Sequence, residues 1–187
     1  RRLMEQVGEQ LAPYADAFDE GFHLSINITA AHCQDLSLCD DCQTLLARFP
    51  AGRLKLTLEL TERTPVIPSD ITDTLFQRLR DMGVLLAIDD FGTGQSSLNY
   101  LRQFKVDYLK IDQSFVGMIG VDALSLHILD SIIELSGKLG LGIVAEGVEA
   151  AAQRDYLARF GVDYQQGYLF GRPMPLSDFI AALGEQP

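Results

Sequence analysis

Residues that carry charge or bind metal ions lie at the ends of six short apolar runs in this chain. The runs cover residues 22–27, 54–59, 84–89, 108–112, 142–146 and 162–166. The polar residues at or near their ends are Asn27, Glu59, Asp89, Asp90, Lys110, Glu146 and Gln166. Four of these seven are carboxylates, and like charges that are held together need a cation. These residue types therefore suggest a divalent metal site.

The apolar runs alternate with stretches of helical spacing, and alternating strands and helices build a parallel sheet. In a barrel of this kind the carboxyl ends of the strands meet at one rim, which would bring the scattered polar residues together. Such a barrel has eight strands and about 250 residues, whereas this chain offers six strands in 187 residues. We predict one α/β domain over residues 1–187, a TIM-like barrel that lacks N-terminal strand structure.

An open six-stranded sheet fits the strand count equally well. It would concentrate its site at a single switch point, whereas here polar residues end all six runs, so we favour the incomplete barrel. The first element is predicted to be an amphipathic helix over Leu3–Phe18, and Arg1 is expected to lie within the helix that follows a missing strand.

Composition limits the classes of partner. The net charge of −11 argues against a general nucleic-acid or membrane surface. The chain has no apolar run of membrane-spanning length and no signal-peptide pattern. The chain has an odd number of cysteines, Cys33, Cys39 and Cys42. This indicates reduced thiols on a helix rather than a zinc site. We expect a cytoplasmic segment, although the whole protein could still be anchored to a membrane elsewhere.

Three positions have competing interpretations. Asp89 and Asp90 follow an apolar strand, so they could serve two metals, or one metal and one water, because adjacent side chains on a strand diverge. The alternative is an Asp turn ahead of the glycines, which competes more strongly for Asp90 than for Asp89. Lys110 lies between two apolar strand residues and must meet anions, for function or in a structural ion pair. Asp112, two residues on, lies on the same face and is a candidate partner.

The remaining candidates are weaker when each is taken alone. Glu59 and Glu62 could be surface acids at the end of a strand, and Asn27 could be a turn residue or a neutral oxygen ligand. Glu146 ends its apolar run and is a better site candidate than Glu149, which precedes the next helix.

Six motifs in one order resemble the EAL-domain family of bacterial cyclic-di-GMP phosphodiesterases. The resemblance covers residues 22 to 175, and the set in this order is far more specific than any single motif. The motifs are SIN (25–27), LELTE (58–62), DDFGTGQSSL (89–98), LKIDQSF (109–115), AEGVE (145–149) and QGY (166–168).

The resemblance implies a TIM-like barrel that binds two divalent cations, Mg²⁺ or Mn²⁺, and hydrolyses cyclic di-GMP to linear pGpG. It also implies a role for each matching residue. Asn27, Glu59 and Asp89 would bind one cation, Asp89 and Asp90 the second, and Glu146 and Gln166 would complete the metal and water shell. Lys110 would orient the attacking water and meet the phosphate, Glu62 would anchor the loop at 91–96, and Asp112 would support the substrate site.

One departure from the family is large, because the chain contains no Glu-Ala-Leu motif, whose Glu is a metal ligand on the family's first strand. We therefore expect residues 1–187 alone to be inactive or nearly so. Two alternatives stay open. One is an EAL-type module that binds cyclic di-GMP without hydrolysing it, and the other is a metal-dependent barrel enzyme for another phosphate or a sugar acid. Whether the protein forms a homodimer also stays open.

Overall fold

Strands and helices alternate along the chain. The computed structural model describes residues 2–61, 66–92, 101 and 104–184. Its strands are β1 (Phe22–Ile28), β2 (Leu54–Thr61), β3 (Leu85–Phe91), β4 (Tyr108–Ile111), β5 (Gly142–Ala145) and β6 (Tyr164–Gln165). The α-helices in the described residues are α1 (Arg2–Leu11), α2 (Ser37–Leu46), α3 (Asp70–Asp81), α4 (Gln113–Val116), α5 (Ala123–Leu139), α6 (Ala151–Arg159) and α7 (Leu176–Gly184). Short 3-10 helices cover Ala12–Ala17 and His32–Gln34.

The strand order decides between the two predicted sheet types. The six strands form one sheet in the order β1-β2-β3-β4-β5-β6, and the pairings from β3 to β6 are parallel. A doubly wound open sheet reverses its order at a switch point, whereas a barrel adds each strand next to the preceding one. The α/β fold of the TIM-like barrel type, with six strands in the described residues, is confirmed.

Contacts divide the chain into two compact units. The first contains residues 1–58, 66–85 and 173–187, and the second contains residues 59–65 and 86–172. Leu56 and Leu75 are among the fully buried residues of the first unit. Leu109, Leu129 and Leu157 are among the fully buried residues of the second. A single domain over residues 1–187 stays a prediction.

Polar residues lie near the strand ends, although not always at them. β1 continues one residue, and β2 and β3 two residues, beyond the predicted ends, while β6 is shorter than predicted. Asn27, Glu59 and Asp89 therefore lie inside their strands, whereas Glu146 and Gln166 directly follow theirs.

The helix predicted over Leu3–Phe18 is wrong in its second half. The α-helix ends at Leu11, and residues 12–17 form a 3-10 helix with Pro13 in its first turn. Proline lacks the backbone N–H that an α-helix interior needs, and it disfavours the α conformation in the residue before it.

Two aspartates link neighbouring strands at their amino ends. The tripeptide Val-Asp-Tyr occurs at the starts of β4 and β6. Asp107 Oδ2 accepts a hydrogen bond from the N–H of Leu86 at 2.9 Å, and Asp163 Oδ2 accepts one from the N–H of Ile143 at 2.7 Å. Each bond ties a strand to the one before it, which helps to set the position of the residues farther along β4 and β6.

The three cysteines are free, as predicted, and the structure shows that all three are buried. Cys39 and Cys42 lie in α2 and Cys33 in a 3-10 helix. Burial raises the pKa of the Cys33 thiol to about 11 and, together with nearby negative charge, that of Cys42 to about 12. In the part of the chain that the structure describes, we find no helix with the length and apolar character to cross a bilayer.

Candidate metal centre and active site

Lys110 lies at the centre of a group of acids in the second unit. It is 4% exposed, and both of its neighbours in β4 are fully buried. Its Nζ atom lies 2.6 Å from Glu59 Oε2, 2.7 Å from Glu146 Oε1 and 3.1 Å from Asp89 Oδ1. The prediction that this buried lysine meets anions is confirmed, and we name these four residues together with Asp90 the acidic cluster.

The pairing of β4 with β5 places Glu146 beside Lys110. Lys110 is opposite Val144 and Ile111 is opposite Ala145. Directly after the last pair, the N–H of Glu146 donates to the carbonyl oxygen of Ile111 at 3.1 Å. The Glu146 side chain therefore starts one residue beyond the paired strands and reaches the ammonium group of Lys110.

A β-bulge shapes the end of β3. Ile88 is opposite Leu109 and Phe91 is opposite Ile111, so β3 uses one more residue than β4 over this interval. Asp90 has a φ of +56°, and its N–H donates to Asp89 Oδ1 at 3.0 Å. A left-handed conformation in a residue other than glycine costs about 1–3 kcal/mol and is common at functional sites.

The bulge changes where the two aspartates point. Adjacent side chains diverge in a regular strand, which was the basis of the sequence expectation. In the structure, Asp89, Asp90 and Glu146 each place a carboxylate oxygen within 4.8 Å of the others. The two neighbouring aspartates therefore contribute to one group of ligand atoms, together with the acid that directly follows β5.

The acidic cluster carries more negative than positive charge, because it contains four carboxylates and one ammonium group, and three of the carboxylates contact that ammonium group. Burial lowers the pKa of Lys110, but the hydrogen bonds to Glu146 and Glu59 outweigh it and the net shift is upward. Burial raises the pKa of Glu146 despite the opposing effect of Lys110. Excess buried negative charge is unfavourable, and a group of carboxylate oxygens suits a hard divalent cation. The residues present therefore fit a metal.

Four predicted site residues are not part of this cluster as described. Asn27 lies on β1 in the first unit and is exposed. Gln166 is exposed after β6, and its N–H donates to the carbonyl oxygen of Ala145 at 2.8 Å. Asp112 is the N-cap of α4 and accepts a hydrogen bond from the N–H of Ser114 at 2.9 Å. Glu62 lies outside the described residues, and the roles of all four stay predictions.

Sequence reasoning missed two close approaches of the chain, which directly follow Glu146 and Gln166. They involve Gly147 and Gly167. A signal was present, because a glycine directly follows each of the site candidates Glu146 and Gln166.

Comparisons with known proteins identify the family of this chain. The EAL domain model matches residues 1–173. The chain belongs to the EAL domain family. It is 41% identical over 188 residues to the Probable cyclic di-GMP phosphodiesterase PdeG of Escherichia coli K12, covering 99% of this chain and 36% of that protein. It is 41% identical over 181 residues to the Cyclic di-GMP phosphodiesterase PdeL of the same strain, covering 97% of this chain and 50% of that protein.

A solved structure shows the same fold. The EAL enzyme Bd1971, in a form bound to cAMP and cyclic di-GMP, matches this EAL chain with a TM-score of 0.83 and 30% identity, covering 96% of this chain and 50% of that one. The resemblance to the EAL family is confirmed. The chain spans half or less of the length of these two curated relatives.

Proposed function

We propose that this EAL chain is the catalytic part of a phosphodiesterase that hydrolyses cyclic di-GMP to linear pGpG. The observation that carries the proposal is Lys110, buried against Glu59, Asp89 and Glu146. Bound cations would offset the charge of these carboxylates, so that an anionic substrate could approach the site. The ammonium group of Lys110 could then contact that anion. The relatives PdeG and PdeL, described as cyclic di-GMP phosphodiesterases, supply the substrate class.

The acidic cluster would hold the metal ions. Its oxygen ligands suit Mg²⁺ or Mn²⁺. In the proposed set, Asn27, Glu59 and Asp89 bind one cation, and Asp89 and Asp90 bind the other. Two divalent cations, when bound, would supply charge stabilisation for the phosphate and an activated water as nucleophile.

Lys110 would act as a hydrogen-bond donor rather than as a base. Its raised pKa keeps the ammonium group protonated at physiological pH, so it would orient the attacking water and contact the phosphate. The Glu146 side chain is 22% exposed, more than those of Glu59 and Asp89. It is therefore well placed to accept a hydrogen bond from that water. Gln166 would complete the water shell.

Two further assignments rest on the family resemblance. Glu62 would anchor the loop at 91–96, and Asp112 would support the substrate site by capping α4. The cap fixes the start of the short helix that follows Lys110 in the chain.

Turnover of cyclic di-GMP by the full-length protein tests the proposal. Production of pGpG is followed by chromatography with Mg²⁺ or Mn²⁺, and Lys110→Ala is expected to lose at least about 10²-fold in rate. Lys138→Ala is the matched control, because that side chain is 70% exposed on α5. Nucleotide binding without pGpG would identify a sensor module instead, and full turnover by Lys110→Ala would remove this residue from the mechanism.

We also propose a cytoplasmic location and a homodimer. The free thiols Cys33, Cys39 and Cys42 support a reducing compartment. Val121 and Leu124, exposed by 79% and 68%, support a protein contact at the start of α5. Light scattering on the purified protein tests the dimer, and a monomer at micromolar concentration would contradict it.

A further inference from the structure

Two segments that follow neighbouring strands are bound to each other through their main chains. The N–H of Val148 donates to the carbonyl oxygen of Gln166 at 3.0 Å, and the N–H of Leu169 donates to the carbonyl oxygen of Val148 at 3.0 Å. Val148 is completely buried. We name residues 147–148 and 166–169 together the β5–β6 lock.

Gly167 allows the lock to close. A Cβ atom at this position would lie 2.2 Å from the carbonyl oxygen of Val148 and 2.3 Å from its nitrogen. Real Cβ atoms essentially never approach closer than 3.0 Å. Both neighbours are backbone atoms that already make hydrogen bonds, so a side chain at 167 could be accommodated only if the two segments moved apart by about 1 Å.

Gly147 is the second close contact, and it lies directly after Glu146. Its φ is +70°, and a Cβ atom there would lie 2.4 Å from Gln113 Cβ. The chain therefore turns sharply between Glu146 and Val148. Glu146 is fixed on one side by its hydrogen bond to Ile111 and on the other by the lock.

We propose that Gly167 is a positioning residue for the metal centre. Its missing side chain lets the β5–β6 lock close, and the closed lock holds the Glu146 carboxylate 2.7 Å from Lys110 Nζ and near the oxygens of Asp89 and Asp90. The same contact places Gln166. The inference rests on the proposed role of the acidic cluster in metal binding, which it extends to a residue that touches neither metal nor substrate.

The expected effect follows from the size of the displacement. A shift of about 1 Å in the backbone after Glu146 is large compared with the narrow range of ligand distances that Mg²⁺ accepts. Changes in residues that orient metal ligands typically lower metal affinity by about 10–100-fold. We expect a weakening of that order for Gly167→Ala.

Calorimetric titration of the full-length protein with Mn²⁺, without nucleotide, measures the effect directly. Gly137→Ala is the matched control, because it adds the same methyl group in α5, where no atom beyond the neighbouring residues and the backbone of the same helix lies within 4 Å. Val106→Ala is a second control, because it removes buried side-chain volume in the same unit, outside the lock, and should lower the melting temperature. Both controls should bind Mn²⁺ within about twofold of wild type.

The outcomes separate the lock from the proposed function. If wild type binds Mn²⁺ and Gly167→Ala binds it equally well, the positioning role is wrong while the function stands. If Val106→Ala weakens Mn²⁺ binding as much as Gly167→Ala does, the effect is loss of stability and the positioning role is again wrong. If wild type neither binds Mn²⁺ nor releases pGpG, the proposed function fails.

Hydrogen exchange on wild type tests the lock even if Gly167→Ala does not fold. Coupling between two sites is reciprocal, so metal binding should stabilise a lock that positions a metal ligand. We expect the amides of Val148 and Leu169 to exchange at least about tenfold more slowly with Mg²⁺ present. The amide of Leu141, which donates to the carbonyl oxygen of Ser136 outside the lock, serves as the reference. Equal changes at all three amides would contradict the proposal.

Discussion

Replacing Lys110 by methionine removes a buried charge while keeping a straight side chain of similar length. Three carboxylates would then lie around a neutral group, at positions that were 2.6, 2.7 and 3.1 Å from the ammonium nitrogen. The side chain of Lys110 is 5% exposed, so water replaces the lost partner poorly. Breaking a buried pair by removing one partner costs about 3–5 kcal/mol.

The cost of protonating one of the acids gives a similar magnitude for the lost stability. The least costly response of the variant at pH 7 is to protonate one acid, and Glu146 is the best candidate because burial already raises its pKa. Protonating a carboxyl group from its ordinary pKa to pH 7 costs about 3.7 kcal/mol at 1.36 kcal/mol per unit. We therefore predict a loss of about 3–4 kcal/mol in the free energy of unfolding without metal.

The stability lost in Lys110→Met should depend on pH. In the folded variant, the pKa of Glu146 would lie above its value in the unfolded chain. A carboxyl group shifted in that direction favours folding at low pH, and the contribution is lost as pH rises through the folded pKa. The gap between variant and wild type should therefore shrink from pH 7 towards pH 5, by at most about 1.4 kcal/mol for each pH unit.

Urea unfolding at pH 7 and pH 5, without metal, measures both effects. Lys138→Met is the control, since Lys138 pairs with Glu134 at the same 2.6 Å but both side chains are about two-thirds exposed. Exposed pairs contribute little, so this variant should match wild type. The reasoning is refuted if Lys110→Met is as stable as Lys138→Met at pH 7, or if its loss is the same at both pH values.

Three further outcomes can be checked. With Ca²⁺ as the sole metal, cyclic di-GMP should bind but pGpG should form slowly, because Ca²⁺ prefers looser, higher coordination. Full turnover with Ca²⁺ alone would contradict the proposed two-metal geometry. Gly142→Ala would put a Cβ 2.3 Å from the ring of Tyr108 and should cost about 1–3 kcal/mol in thermal unfolding, unlike Gly137→Ala. Ellman's reagent at pH 8 should label Cys33 and Cys42 only after unfolding, because burial raises the pKa of these thiols to about 11 and about 12. Their contribution to stability should be lost as pH rises from 9 towards 12.

The strand pattern alone located most of the acidic cluster. An apolar run predicts a strand, the carboxyl ends of parallel strands converge, and a lysine flanked by Leu109 and Ile111 must meet anions. The structure shows those anions at Glu59 and Glu146. The pattern did not decide whether Asp112 pairs with Lys110. Residues two apart on a strand share a face, but their side chains need not be close enough to bond.

The geometry of Asp89 and Asp90 could not be predicted from periodicity. A strict two-residue repeat sends neighbouring side chains to opposite faces, and it takes a bulge to bring both aspartates towards Glu146. The pairing register that creates the bulge is a property of β3 and β4 together. The glycines at 147 and 167 were visible in the sequence, but the backbone that each one meets was not.

Lys110 and a metal ion need not compete for the same oxygens. The ion pairs of the lysine run through Glu59 Oε2, Asp89 Oδ1 and Glu146 Oε1, and every carboxylate has a second oxygen with further lone pairs. One cation from the chain can therefore hold the acids together before any metal arrives, which lowers their mutual repulsion and preorganises the ligand set. Lys110 then has a structural role and a catalytic one, so the two explanations of this residue that its sequence context offered are compatible. The stability and turnover measurements on Lys110 variants address the two roles separately.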